Sequence, residues 1–435
     1  MKRRVIVVGG GIGGSAAALR LLRGGAEVVV VERGERLGGL VTSFEVAGTP
    51  LEMFYHHIFP TEREIRSLIE GLGLSERLGW FRSSVAIFTG GRIWPFTSPI
   101  DLLRFRPLPV VDRVRMGIGS IRLTRDRDWR PLDLITAREW LTAATSGMAS
   151  RVVWEPMLRA RFGPAAEDVP AAWMWGRFRQ RAGARRGGRE RLGYLRGGFR
   201  MLFDALEARI GREGADLRLG AEVRRICIDD GRVRGVEFAG GLEEADAVLF
   251  AGTLPGLPRL VPADHVDGRW AAAEGLGAVC VILELSRPLG PAYWTNVCDQ
   301  EVPFGGVIEH TNLVPPSDYA GRHVAYLSRY FTGDEPLATA DLDEVRAGWI
   351  NVLEERFPRF ASSTILDAHR FRTPYAAPLP HVGHFERIPP IRAHIPGLFL
   401  ATTAQIYPHD RGMNEGIRLG ERAAAELLAD TPAGR

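Results

Sequence analysis

Near its N-terminus the chain reads Gly9-Gly10-Gly11-Ile12-Gly13-Gly14, between the apolar run RVIVV (residues 4–8) and the run SAAALRLLRGG. A second apolar run, AEVVVVE, ends on Glu32. Glycines at 9, 11 and 14 allow chemistry that side chains would block. Gly9 permits a tight turn, Gly11 lets the backbone approach a pyrophosphate, and Gly14 lets helix and strand pack closely. Ile12 and Gly13 stand inside the same loop, and the first amides of the following helix would face the phosphates. Glu32 comes eighteen residues after Gly14, where a carboxylate accepts hydrogen bonds from ribose hydroxyls. Strand, glycine loop, helix, strand and acid in this order predict a Rossmann-like dinucleotide site.

Other stretches could carry chemistry. MFYHHIFPTERE (53–64) sets His56 and His57 between aromatic residues. Thr61 and Glu64 have the spacing of a capping box, and Ile65, Leu68, Ile69 and Leu72 give the next helix an apolar face. Tyr407, His409, Asp410 and Arg411 form a polar cluster near the C-terminus. The stretch from Arg177 to Arg200 holds nine arginines. It reads as a solvated loop or as an anion site for a diphosphate or carboxylate, since guanidinium forks suit both. No nucleic-acid module accompanies it, so nucleic acid is not expected as a partner. Trp154, Trp173 and Trp175 read as core, with a channel wall as the alternative. Lys2 is the sole lysine, which excludes a Schiff-base, P-loop or catalytic lysine deep in the chain. Cys227, Cys280 and Cys298 have no metal-type spacing and read as reduced thiols.

The elements that position these residues extend past Glu32. The stretch Arg33–Leu40, with Arg36 before the pair Gly38-Gly39, resembles the second glycine motif of the FAD-dependent amine oxidase superfamily. That group includes protoporphyrinogen oxidases, phytoene desaturases and, more distantly, UDP-galactopyranose mutases. The resemblance implies FAD as cofactor. It lays Arg36, Gly38 and Gly39 along the diphosphate and ribityl chain, with Arg33 and Leu40 beside them. Further matches keep the family's order: YLRGGF (194–199) before a helix, Val223 where the backbone meets the adenine, and the strand ADAVLFAG (245–252). Gly412, Met413 and Asn414 match the helix start that points at the flavin pyrimidine oxygen. Where the superfamily usually has Gly-Asp or Gly-Glu, this chain has Thr402-Thr403, whose hydroxyls would take the acid's place at the ribityl chain.

The implied fold is α/β: a Rossmann-like FAD-binding domain from residues 1–90, 195–265 and 386–435. A discontinuous α+β substrate domain, built on an antiparallel sheet, would take 91–194 and 266–385. The implied activity is hydride transfer from a small organic substrate to flavin, by dehydrogenation or desaturation. His57, Tyr407, Asp410 and Arg411 are the candidate catalytic residues. The lack of a second lysine argues against simple amine oxidation. A second reading comes from Tyr55–Thr61, which looks like the His-Ile-Phe-His-Thr stretch of UDP-galactopyranose mutases. His57 matches its first histidine, and Pro60 stands at the second.

The chain has 435 residues, 45% apolar and 25% charged, with a net charge of +4. That suits a globular protein of two intertwined or consecutive domains. The N-terminal apolar run is four residues long before the glycines and no cleavage site follows, so no signal peptide is expected. No run of eighteen apolar residues spans a membrane, and a cytoplasmic location is the expectation. The substrate is expected to be an anionic or hydrophobic small molecule. The Pro-, Arg- and Leu-rich region 91–130 reads as a helical cap, with peripheral membrane contact as its alternative.

Overall fold

The structure, a computed structural model, describes residues 2–125, 128–183, 185–186, 189–357 and 359–430. The apolar runs form a five-stranded parallel sheet in the order Asp216–Arg218, Glu27–Val31, Arg4–Val8, Ala247–Phe250, Leu398–Leu400. Val5 stands opposite both Val28 and Ala247. Near-continuous β-branched runs suit strands covered on both faces. Val5, Val7, Val28 and Val30 pack with the helices Ile12–Arg23, Arg200–Arg212 and Met413–Ala429. Their neighbours Ile6, Val8, Val29 and Val31 pack on a three-stranded antiparallel sheet, Arg225–Asp229, Arg232–Phe238 and Gly241–Glu244. The first two of these strands join at Asp230-Gly231, with φ of 48° and 67°, as a type I′ hairpin requires.

A seven-stranded sheet forms the second layer. Its order is Ile365–Pro378, Gly275–Leu285, His323–Phe331, Gly306–Glu309, Trp294–Val297, Val85–Thr89, Arg92–Pro95. Two features differ from the expectation. Trp294–Val297 pairs in parallel with Val85–Thr89, so the sheet is mixed. Val85–Thr89 therefore belongs to this sheet rather than to the nucleotide part that residues 1–90 were expected to form. The hairpin 85–95 completes the sheet edge, a long-range pairing that the alternation in VAIFT does not specify.

Residues 99–183 supply a helical layer with its own core around Phe105, Trp154, Phe162 and Trp173. The helix Pro99–Arg104 starts in a capping box of Ser98 and Asp101, and Ala137–Ala144 in one of Thr136 and Glu139. The box expected at Thr61 does not form. The helix starts at Arg63 with Glu62 at the N-cap position. The Glu62 side chain turns back to accept from the Phe59 amide at 2.8 Å and from Gln180 at 3.1 Å. Asn414 Oδ1 caps the helix instead, accepting from the Glu64 and Ile65 amides at 3.0 and 3.2 Å. Tertiary packing supplies the cap that local spacing would have placed on Thr61.

Candidate active site

The first glycine loop is shaped by its own backbone. Gly9 has φ +106°, and a Cβ there would meet the Ala251 carbonyl at 3.0 Å. A Cβ on Gly14 would lie 2.0 Å from the Gly9 oxygen, so helix and turn close on each other only through glycine. Gly13 lies against the C-terminal helix, where a Cβ would meet the Gly416 oxygen at 3.2 Å. Gly11 differs: the nearest heavy atom to a Cβ there is Gly39 Cα, at 4.0 Å. The space over Gly11 is therefore open, as an approaching pyrophosphate needs. Ile12 opens the helix that leaves this loop.

The second glycine motif docks on the first. The Gly38 amide donates to the Gly10 carbonyl at 3.1 Å, and Gly38 and Gly39 have φ +151° and +58°. Leu40 is half-buried beside them, while Arg33 and Arg36 are exposed. Arg36 reaches Asp204 at 3.2 Å. The Glu32 carboxylate accepts from the Gly10 amide at 2.6 Å and the Gly34 amide at 2.7 Å, which fixes it at the mouth of the loop. Val223 sits in the link between Asp216–Arg218 and Arg225–Asp229, which the Ala221 amide ties to the Glu32 carbonyl at 2.9 Å. Thr402 Oγ1 is buried without a hydrogen-bond partner among the described residues, although its residue is 1% exposed. A buried orphan hydroxyl calls for a polar ligand, and this is where the ribityl chain was expected. Gly412 stands at the N-cap of Met413–Ala429, which has no side-chain cap. Met413 and Asn414 are buried there. Asn414 spends its side-chain oxygen on the neighbouring helix, so its backbone remains for a ligand. The open Gly11, the unpartnered Thr402 and this uncapped helix start fit a dinucleotide.

The histidine loop lies between the two sheets. His57 Nδ1 is 3.1 Å from Tyr293 Oη, and His56 Nδ1 is 2.6 Å from the Phe54 carbonyl. Burial, with Arg181 and Arg177 nearby, lowers the His57 pKa to about 3; burial and Arg411 lower that of His56 to about 4. Both imidazoles are neutral at physiological pH. Tyr55, just before them, brings its hydroxyl to 3.4 Å from that of Tyr330.

The C-terminal polar cluster divides among different partners. Tyr407 donates to Asp133, and its ring packs on Trp129. Asp410 pairs with Arg161 and with Arg177, each at 2.8 Å. Burial would raise its pKa, but Arg161, Arg177 and Arg411 outweigh burial and hold the carboxyl below its ordinary value. The Arg411 guanidinium reaches Tyr330 Oη at 3.4 Å. The Arg161 guanidinium lies 4.6 Å from the Tyr330 ring centre. The side chains of Asp410 and Arg411 thus point to separate partners rather than forming a pair of their own. Sequence reasoning missed Arg161, Tyr293 and Tyr330. Ser328 and Tyr330 face the cavity at alternate positions of one strand, a period-two signal that could have marked Tyr330.

The arginine-rich stretch resolves into two elements, the helix Ala171–Gly183 and the strand Arg189–Leu195. Residues 184, 187 and 188 lie outside the described residues. Arg177 and Arg181 line a cavity of about 740 Å³ between the helical layer and the seven-stranded sheet, with Tyr55 and Tyr330 also on its wall. Trp173 and Trp154 are both core and cavity wall.

The family model described as flavin-containing amine oxidoreductase matches residues 12–428. The chain belongs to that family. Its cofactor is FAD. Over 251 residues the chain is 30% identical to AofH of Mycobacterium tuberculosis, which carries the name of a flavin-containing monoamine oxidase. That match covers 54% of this chain and 52% of AofH, so the chain spans about half the length of the curated relatives it matches. Among solved structures it resembles a protein from Exiguobacterium sp. 255-15 named as a protoporphyrinogen oxidase (TM-score 0.79, 20% identity, 99% of this chain and 100% of that one). It also resembles cyclohexylamine oxidase from Brevibacterium oxydans IH-35A (TM-score 0.70, 19% identity, 99% of each chain). A reduced UDP-galactopyranose mutase shares the fold at TM-score 0.73 and 15% identity, over 98% of this chain and 96% of that one. Membership in the amine oxidoreductase family does not favour the mutase reading of Tyr55–Thr61. Among the described residues no helix is long and apolar enough to cross a membrane.

Proposed function

We propose that the chain oxidises a small, largely apolar organic molecule held in the cavity beside Tyr55, by loss of a hydride. The observation that carries this reading is the cavity itself. Its volume is in the range of small-molecule sites, and its wall is built mainly of apolar and aromatic side chains. FAD, when bound, supplies the two-electron acceptor. The chain's own residues position and exclude. Gly9, Gly11, Ile12, Gly13 and Gly14 cradle the diphosphate. Glu32 would hold a ribose, and the Val223 backbone would meet the adenine. Arg33, Arg36, Gly38, Gly39, Leu40 and Thr402 follow the chain towards the ring. The amides of Gly412, Met413 and Asn414, at a helix start with no side-chain cap, would stabilise negative charge on the reduced cofactor. His57, neutral and held by Tyr293, would border the flavin ring without adding charge. Tyr407, Asp410 and Arg411 shape the substrate end. In this reading the two sheets mark two functional halves, one for nucleotide and one for substrate.

Anaerobic mixing of the yellow holoprotein with porphyrinogens, polyenes, amines and nucleotide sugars tests it. Bleaching of the flavin by an apolar member of the panel is expected. Turnover of a nucleotide sugar without net redox, and no bleaching by any other compound, would overturn it.

A second reading concerns location. Val110, Val111, Val114, Ile118 and Ile121 lie on one stripe of the helix Val110–Leu123, opposite the buried Met116, Gly119 and Leu123. Ile100 and Leu103 of the preceding helix are exposed as well, and Arg104, Arg106, Arg115 and Arg122 surround them. An apolar lip with a basic rim fits the surface of an anionic bilayer. Sedimentation with phosphatidylglycerol vesicles that is lost in Ile118→Glu supports it, and unchanged sedimentation rejects it.

A further inference from the structure

The polar floor of the cavity carries more positive charge than the acids around it balance. Arg161, Arg177 and Arg181 line the cavity, and Arg411 stands behind Tyr330. The facing acids are Asp410 and Glu190, with Arg181 4.0 Å from Glu190. These four guanidinium groups face two carboxylates, and Arg113 adds a fifth guanidinium to the cavity wall, so positive charge is in excess. His56 and His57 are neutral and change nothing in this count. Burial holds the Tyr55 phenol well above its ordinary pKa, whereas Arg161 and Arg411 outweigh burial at Tyr330 and pull its phenol below the ordinary value, a further sign of the excess positive charge there. Asp410 cannot give more, because its two oxygens already serve Arg161, Arg177 and the Arg411 amide.

The guanidinium groups retain donors. The Nε atoms of Arg161 and Arg411 are buried without partners among the described residues. Each of Arg161 and Arg177 gives one hydrogen bond to Asp410, although a guanidinium carries five N–H groups. Their side chains are 17 and 25% exposed, so solvent screens them only in part. Arg177 and Arg181 are four residues apart on the helix Ala171–Gly183, which sets them one above the other on the same face. That places two forks side by side at the cavity wall.

We propose that Arg177 and Arg181 form a subsite for the carboxylate of an otherwise apolar substrate. The proposal rests on reading the cavity as the substrate site and names the chemical class it takes. Two neighbouring forks accept a carboxylate through paired N–H···O bonds, and the anion offsets the unmatched charge. An alkylammonium ion placed there would meet repulsion from the same groups. The site therefore selects against cationic amines, the substrates named for cyclohexylamine oxidase and its like.

The test is binding to the oxidised holoprotein by decanoate, 1-decanol and decylamine, read by calorimetry and by the flavin absorbance. Decanoate is expected to bind at least tenfold more tightly than decanol, and decylamine weaker than both. Arg181→Gln, at a half-exposed position that leaves the core intact, should weaken decanoate about tenfold and leave decanol unchanged. Arg177→Gln should do the same or more. Equal affinities for decanoate and decanol, or loss of decanol and decanoate together in Arg181→Gln, overturn the anion subsite while the apolar cavity stands. Failure of both decanoate and decanol to bind overturns the cavity reading as well as the subsite.

Discussion

The glycine cradle and the aromatic cavity are built in opposite ways. The cradle is backbone: Gly9 to Gly14, Gly38 and Gly39 approach one another closely, and the Glu32 side chain serves mainly to hold amides. The cavity is side chain: Tyr55, Arg161, Arg177 and Tyr330 come from four separate segments, and Asp410, off the wall, ties Arg161 to Arg177. Backbone geometry tolerates little change and is written locally. Side-chain networks tolerate exchange but depend on the whole fold.

The sharpest way to break the comparison is inside the cradle, between two glycines three residues apart. Gly14→Ala puts a methyl group 2.0 Å from the Gly9 oxygen. No flexible side chain can yield there, so a loss of about 3 kcal/mol or more is expected, with little soluble holoprotein. Gly11→Ala meets only Gly39 Cα at 4.0 Å and has φ −67°, so the apoprotein should melt within a degree or two of wild type. FAD retention, read by fluorescence of the released flavin, should nevertheless fall by on the order of tenfold. Equal behaviour of the two variants would show that neither glycine is placed as described.

In the cavity, Asp410→Asn removes the carboxylate that two arginines share. Those guanidinium groups are mostly buried, so the loss leaves charge uncompensated, at roughly 3 kcal/mol after allowance for their residual exposure. Urea unfolding of the holoprotein measures it. A change below about 0.5 kcal/mol, the scale of an exposed pair, would place Asp410 at the surface in energetic terms.

Glu52, buried at the end of the strand Thr49–Glu52, gives a pH test. Its carboxylate accepts from Tyr194 Oη and from the Phe199 amide, both at 2.7 Å, and burial raises its pKa from 4.5 to about 7 despite those bonds. The folded state therefore holds the proton more tightly than the unfolded chain. Its contribution is full below about pH 4.5 and is lost as pH rises through about 7. At 1.36 kcal/mol per pKa unit this amounts to roughly 3 kcal/mol. Glu62 and Glu309, both raised to about 8, act in the same direction. Glu52→Gln should flatten the fall in unfolding free energy between pH 5 and 8 by about that amount, while the share of the other two remains. An unchanged slope would mean that Glu52 titrates normally.

The same contrast decides what could be read from the sequence. Gly9, Gly11, Gly14 and Glu32 were legible because turn, close approach and acid lie within one βαβ unit, where spacing along the chain is spacing in space. The strands 275–285 and 323–331 carry apolar runs of the kind that marks a buried strand, in keeping with the sheet expected within 266–385. Arg161 was not legible, because nothing near it in the sequence marks which of many arginines faces the cavity, and Tyr330 carried only the weak period-two signal it shares with Ser328. The strand 85–89, next to the sheet edge, was assigned to the nucleotide part for a related reason: its partner, Trp294–Val297, is about two hundred residues away.

The smallest effect concerns the junction where local reading failed outright. Asn414 caps the helix Arg63–Gly71 from the start of the C-terminal helix. Asn414→Ala leaves the Glu64 and Ile65 amides without a partner and should cost about 1 kcal/mol, the usual worth of an N-cap side chain. Asn414→Asp keeps an acceptor and adds a negative charge at that helix start, which favours the helix. The same charge falls beside Glu415 and near Glu62, whose pKa Glu415 already helps to raise, so repulsion offsets the gain. The aspartate is therefore expected to recover the cap at pH 5 and to lose part of that recovery at pH 8, read as melting temperature against pH. Thr61→Ala, by contrast, should leave stability within about 0.5 kcal/mol of wild type, as a substitution that removes no cap. A larger loss from Thr61→Ala than from Asn414→Ala would return the helix start to the threonine that the local spacing had favoured.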